Sequence, residues 1–256
     1  MPSAVGVSPP RSLVLPVLGG IVMLAWITLW WLEQSPYGWL FHRHGGGGHG
    51  QTLGWLYAGA FLLGWLLMTV AMMLPTTVPL VRLFRRMIAQ RAHAPFLVVL
   101  LLAGYLTAWL AFGAVALGLL WVVDQTLANA ILPQAWVWGA GLFLLAGAFQ
   151  LSPLKYACLD KCRTPLGFLL SHWHGRNRRS ESFNVGWSHG IFCVGCCWAL
   201  MMLMFAVGTA SLGWMLLLAL IMAVEKNAPW GRRMVRPLGV ILLVVGAGMG
   251  TYNLAI

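Results

Sequence analysis

Charge is what this sequence has least of. Only 8% of the 256 residues are Asp, Glu, Lys or Arg, and only five of those are acidic. No long hydrophilic block is present, which excludes a separate soluble domain. The five acids, Glu33, Asp124, Asp160, Glu181 and Glu225, fall in connections or at the ends of apolar runs. No carboxylate therefore sits at the middle of an apolar run, where a proton-coupled pump would keep one. A Walker motif and a Rossmann glycine fingerprint are missing, and no histidine pair is placed across two runs for bis-imidazole haem ligation. ATP-driven transport within the chain is not expected, and no residue is assigned a catalytic role.

Apolar residues make up 60% of the chain. Uncharged runs of roughly 18 residues or more are long enough to cross a bilayer as helices. The fold expected is all-α, a polytopic transmembrane helical bundle forming a single domain over 1–256. Seven spans are read, at approximately 13–32, 53–74, 96–123, 135–152, 186–208, 210–225 and 237–255. Residues 33–52 form a His- and Gly-rich outer loop. The first span lacks a small-residue cleavage site and reads as a retained helix. The fifth and sixth, separated only by "GTAS", read as a tight helical hairpin.

The basic residues set the orientation. With the N-terminus cytoplasmic, 15 of the 16 Lys and Arg lie inside and only Arg43 lies outside. This obeys the positive-inside rule. It also accounts for the net charge of +11 through topology and contact with membrane lipids, so a nucleic-acid partner is not expected.

The five cysteines fall in two groups. Cys158 and Cys162 follow the fourth span at a spacing of four, and Pro153 ahead of them predicts a break that lets their segment turn along the inner surface. His189, Cys193 and Cys197 share that spacing in the inner half of the fifth span, and Cys196 lies about 60° around the helix from Cys193. The two groups approach similar depths from opposite sides of one inner connection. Thiolates are soft donors suited to Cu(I) and Zn(II), and ligands one helical turn apart can chelate one ion. The metal set is therefore Cys158, Cys162, His189, Cys193, Cys196 and Cys197, with copper as the first metal and zinc as the second. On the cytosolic side thiols stay reduced, so a structural disulfide is not expected.

Secondary candidates surround this set. Met72 and Met73 precede "LPTTVPL", and Met201 follows the cysteines; thioether sulfur ligates Cu(I), although methionine also fills gaps in cores. Pro75 and Pro79 should break the second span, with Thr76 and Thr77 partly satisfying the freed carbonyls. Glu225 reaches the depth of the cysteines as a hard ligand, a proton acceptor or one half of an "EK" cap. His42, His44 and His49 in the outer loop can collect a metal or belong to a solvated glycine linker. Gly186 and Gly190 form a G-x-x-x-G pair, read as a close helix contact.

Four stretches together, "MMLPTTVPL", "FQLSPLKYACLDKCRTPLGFL", "GWSHGIFCVGCCWALMMLMF" and "EKNAP", resemble the family of predicted metal-binding integral membrane proteins, a bacterial domain of unknown function. The resemblance covers approximately residues 55–250. It implies metal binding through the two cysteine motifs and implies no reaction. Three roles stay open. The first is copper or zinc handling in the bacterial inner membrane, in transport or delivery to a membrane metalloenzyme or a metallochaperone. The second is a thiol oxidoreductase exchanging electrons with quinone through Cys193 and Cys196. The third is an accessory subunit of a membrane enzyme complex.

Overall fold

The computed structural model describes residues 14–35, 51–89, 93–127, 135–175, 177–207 and 211–254. Among them there is no strand. The helices are α1 (Val14–Gln34), α2 (Gln51–Met72), α3 (Val78–Met87), α4 (Ala94–Leu127), α5 (Ala135–Gln150) and α6 (Pro153–Arg163). They continue with α7 (Pro165–His172), α8 (Arg178–Met202), α9 (Met204–Val207), α10 (Leu212–Asn227) and α11 (Gly231–Leu254). The outer-loop histidines His42, His44 and His49 lie outside the described residues.

Among the described residues five helices are long and apolar enough to cross a membrane, and a sixth crossing arises if α5 and α6, bent by 66°, are one broken span. The expected spans at 135–152 and 210–225 appear as helices of 16 residues each. The expected fifth span begins earlier, at Arg178, because Asn177 caps it by accepting from Ser180 N. The basic "RLFRRMIAQR" stretch, which lies between the expected second and third spans, is largely helical in α3.

Two breaks shape the end of the bundle that carries the cysteines. At the first, α2 gives way to a 3₁₀ turn, Leu74–Thr77, at Pro75. Proline removes a backbone donor and frees carbonyls. Thr76 Oγ1 donates to Met73 O at 2.7 Å and Thr77 Oγ1 to Leu74 O at 2.8 Å, as the sequence suggested. At the second, Ser152 starts α6 as an N-cap, its hydroxyl accepting from Lys155 N at 3.2 Å, with Pro153 at the first helical position. Pro is favoured there because its missing N–H would have had no partner. The resulting bend carries Cys158 and Cys162 across toward α8.

Helix α4 packs closely on α8, and glycine makes it possible. A Cβ at Gly186 would collide with Leu101 O, and one at Gly190 would lie 2.6 Å from Ala108 Cβ. The expected G-x-x-x-G contact is thus made within this chain, against α4. Indole donors tie further helices together: Trp65 Nε1 to Trp109 O at 3.0 Å and Trp26 Nε1 to Ala71 O at 3.2 Å.

Candidate metal centre

Helix α8 is the spine of the site. His189, Cys193, Cys197 and Met201 recur every four residues and are all buried, as a single stripe facing the core demands. Cys196, also buried, points about 60° away from Cys193. That angle gives the two sulfurs different neighbours.

On one side the thiols meet one another. Cys162 Sγ of α6 lies 3.8 Å from Cys196 Sγ, and Cys196 Sγ lies 3.5 Å from Cys197 Sγ. Cys158 seats its sulfur where α8 has no side chain, since a Cβ at Gly195 would stand 2.7 Å from Cys158 Sγ. Glycine at 195 is therefore what admits Cys158, and it lies outside the metal set expected from the sequence. Both cysteine groups converge, and all five are free thiols.

Beneath these thiols lies a buried ion pair. Lys155 Nζ donates to Glu225 Oε2 at 2.6 Å and to Cys196 O at 2.7 Å, while Gln150 Nε2 donates to Glu225 Oε1 at 2.7 Å. The carboxylate expected as a hard ligand, a proton acceptor or an "EK" cap has both oxygens engaged, with Lys155 as its ion partner. The backbone carbonyl of Glu225 accepts from Arg163 Nη1 at 2.5 Å, which ties α6 to the end of α10. Gln150 and Lys155 were quoted in the sequence without a role. A lone amide at the end of an apolar helix and a lysine just beyond it were the signals that could have marked them.

On the other side a single thiol meets nitrogen and oxygen. Lys226 Nζ donates to Cys193 Sγ at 2.8 Å, to Thr76 Oγ1 at 3.4 Å and to Met73 Sδ at 3.7 Å. Tyr105 Oη lies 3.0 Å from Cys193 Sγ and donates to Met73 O at 3.4 Å. Neither Lys226 nor Tyr105 belongs to the metal set expected from the sequence. His189 packs its ring against Phe168 and Tyr105, at centroid separations of 5.4 and 6.0 Å, and its Nδ1 is buried without a hydrogen-bond partner. Met72, Met73 and Met201 are all buried, and Met73 is the one whose sulfur reaches this polar group.

The donor set suits a soft ion. Two thiolates bound to one tetrahedral ion at about 2.3 Å stand about 3.8 Å apart, which matches the separations found here. Sulfur is the donor that selects Cu(I) and Zn(II), and an unpartnered imidazole nitrogen is a further donor one turn away. Cys196 Sγ approaches both Cys162 Sγ and Cys197 Sγ, yet among the described residues no group of three His, Cys, Asp or Glu side chains is placed to hold one ion.

Fold and site together define an all-helical bundle with helices fit to cross a membrane and a cluster of five thiols, three of them buried. The PpoB2 family, described as copper chaperone, matches residues 62–249, and the chain belongs to that family. The matched stretch includes both cysteine groups, Tyr105 and Lys226, and excludes the His-rich outer loop. No curated protein and no solved structure matches the chain.

Proposed function

We propose that this chain is a multi-pass protein of the bacterial inner membrane that carries copper as Cu(I) and delivers it to a membrane metalloenzyme. The donors are drawn from the thiolates of Cys158, Cys162, Cys193, Cys196 and Cys197 and the imidazole nitrogen of His189, with two thiolates holding the ion at a time. Zinc is the second metal, and Met73 is the thioether best placed to join. The observation that carries the reading is the approach of Cys162 Sγ to Cys196 Sγ, 3.8 Å, between two cysteines with 33 residues between them in the chain. A purely structural pair of cysteines needs no third and fourth thiol beside it. Membership of a copper chaperone family supports the copper-related role.

The test is metal analysis of untagged, detergent-purified protein exposed to Cu(I) under reducing conditions. About one copper per chain is expected, retained against a competing chelator and lost when Cys162 and Cys196 are both changed to Ser. Protein that holds no stoichiometric copper, or Ser variants at Cys158, Cys193 and Cys197 that each keep it, would overturn the reading. Thiol trapping in cells separates it from quinone-linked thiol exchange: a copper site keeps Cys193 reduced and shielded until a chelator is added.

A further inference from the structure

Of the two lysines buried in the site, one has a carboxylate and the other has none. Lys155 stands 2.6 Å from Glu225, and together they carry no net charge. Lys226 has no carboxylate partner among the described residues, where the ion pairs are Lys155–Glu225 and Arg232–Asp160. Its contacts are instead three weak or neutral acceptors, Cys193 Sγ, Thr76 Oγ1 and Met73 Sδ. An ammonium has three N–H donors and no acceptor, so three acceptors are what it requires. Its hydrogen bonds are satisfied, and of these three partners only the Cys193 thiol can become an anion. A buried charge without an opposite charge nearby is costly.

Resting on the copper reading above, we propose that Lys226 is a specificity-determining residue whose fixed charge balances Cu(I) held by two thiolates and disfavours Zn(II) in the same place. Two thiolates and Cu(I) sum to a single negative charge, which the ammonium matches. Two thiolates and Zn(II) sum to zero and leave the ammonium unmatched in a medium of low dielectric, where charge imbalance weighs most. A third anionic ligand would restore the balance for zinc. Among the described residues no third donor joins such a pair, and Glu225 already has both oxygens engaged. Softness of sulfur favours both ions over harder metals; the charge at Lys226 then separates the two.

The experiment compares Cu(I) and Zn(II) affinities of the full-length protein in detergent by chelator competition, for the unaltered chain, Lys226→Met and Lys226→Arg. Lys226→Met should weaken Cu(I) by about 30-fold or more, the scale of removing one partner of a buried charge pair, with Zn(II) binding unchanged or tighter. Lys226→Arg, which keeps the charge, should restore the copper preference. Lys226→Gln, a donor without the charge, should behave like Lys226→Met and stands in for it if that variant does not fold. An unchanged ratio of the two affinities in the uncharged variants, or equal weakening of both metals, would overturn the role given to Lys226 while leaving the copper site standing. Failure of the unaltered chain to bind Cu(I) would remove the copper reading and this inference with it.

Discussion

The Cys196 side and the Cys193 side of helix α8 each receive a buried lysine, and the two lysines meet different kinds of partner. Lys155 is held by the Glu225 carboxylate and the Cys196 carbonyl, and Gln150 completes the carboxylate's shell. Those contacts join α5, α6, α8 and α10. Lys226 meets two sulfurs and a hydroxyl. A pair matched inside the fold holds helices together. A cation facing only thiol, thioether and hydroxyl is left to meet negative charge that develops on the thiols, which is where metal chemistry would place it.

The sharpest way to break this contrast is to remove the carboxylate. Glu225→Ala leaves Lys155 buried without an anion, and breaking a buried pair from one side costs about 3–5 kcal/mol. Thermal unfolding in detergent, followed through the buried indoles of Trp65 and Trp109, measures it. The exposed pair Arg232–Asp160, 3.1 Å apart with side chains 55% and 47% exposed, is the control; Asp160→Ala should cost about 0–1 kcal/mol. If the two variants lose the same stability, Lys155–Glu225 is no anchor.

The next effect separates the halves by geometry. At Gly190 an added Cβ would stand 2.6 Å from Ala108 Cβ and 3.0 Å from Tyr105 O. Gly190→Ala therefore pushes α4 away at the residue that faces Cys193, at a cost of about 1–3 kcal/mol. Alkylation of Cys193 should become faster than in the unaltered chain, while Cys196, packed against α6, keeps its rate. Equal acceleration at both cysteines would mean that the halves move as one.

Much of this arrangement was legible in the sequence, and the rest was hidden for identifiable reasons. Helical spacing shows that His189, Cys193 and Cys197 share a stripe, and Pro153 announces the bend that brings Cys162 to Cys196. Pro75 with Thr76 and Thr77 likewise foretells the broken helix and its repaired carbonyls. Spacing does not show which neighbour a face meets. Read as a unit, "CVGCC" looks like one cluster; in three dimensions Cys193 faces Tyr105 and Lys226, and Cys196 faces Cys162. The "EK" pair misleads in the same way. Adjacent helical residues point about 100° apart and do not face each other, so Glu225 goes to Lys155 and Lys226 to Cys193. In the sequence Lys226 is one more basic residue on the inner side, and its burial shows otherwise.

A smaller effect ranks the thiols themselves. Cys196 Sγ contacts two other sulfurs, at 3.8 and 3.5 Å, whereas Cys158 sits against the Gly195 gap. Cys196→Ser should weaken Cu(I) binding about tenfold more than Cys158→Ser, a difference of about 1.4 kcal/mol. Competition against a Cu(I) chelator reads this directly. The opposite order would move the centre of the site toward Cys158.

The smallest effect distinguishes two neighbouring threonines that do the same local work. Thr76 and Thr77 each donate to a carbonyl freed by the break, Met73 O and Leu74 O. Replacing either with Val should cost about 0.5–1.5 kcal/mol, the worth of one hydrogen bond. Only Thr76 also accepts from Lys226, at 3.4 Å. With Val at 76 the ammonium keeps two sulfur acceptors and loses its oxygen, so its need for negative charge on Cys193 rises. Thr76→Val should therefore shift the ratio of Cu(I) to Zn(II) affinity, and Thr77→Val should match it in stability and leave that ratio alone. If both variants shift the ratio equally, metal preference follows the integrity of the 3₁₀ turn and not the surroundings of Lys226.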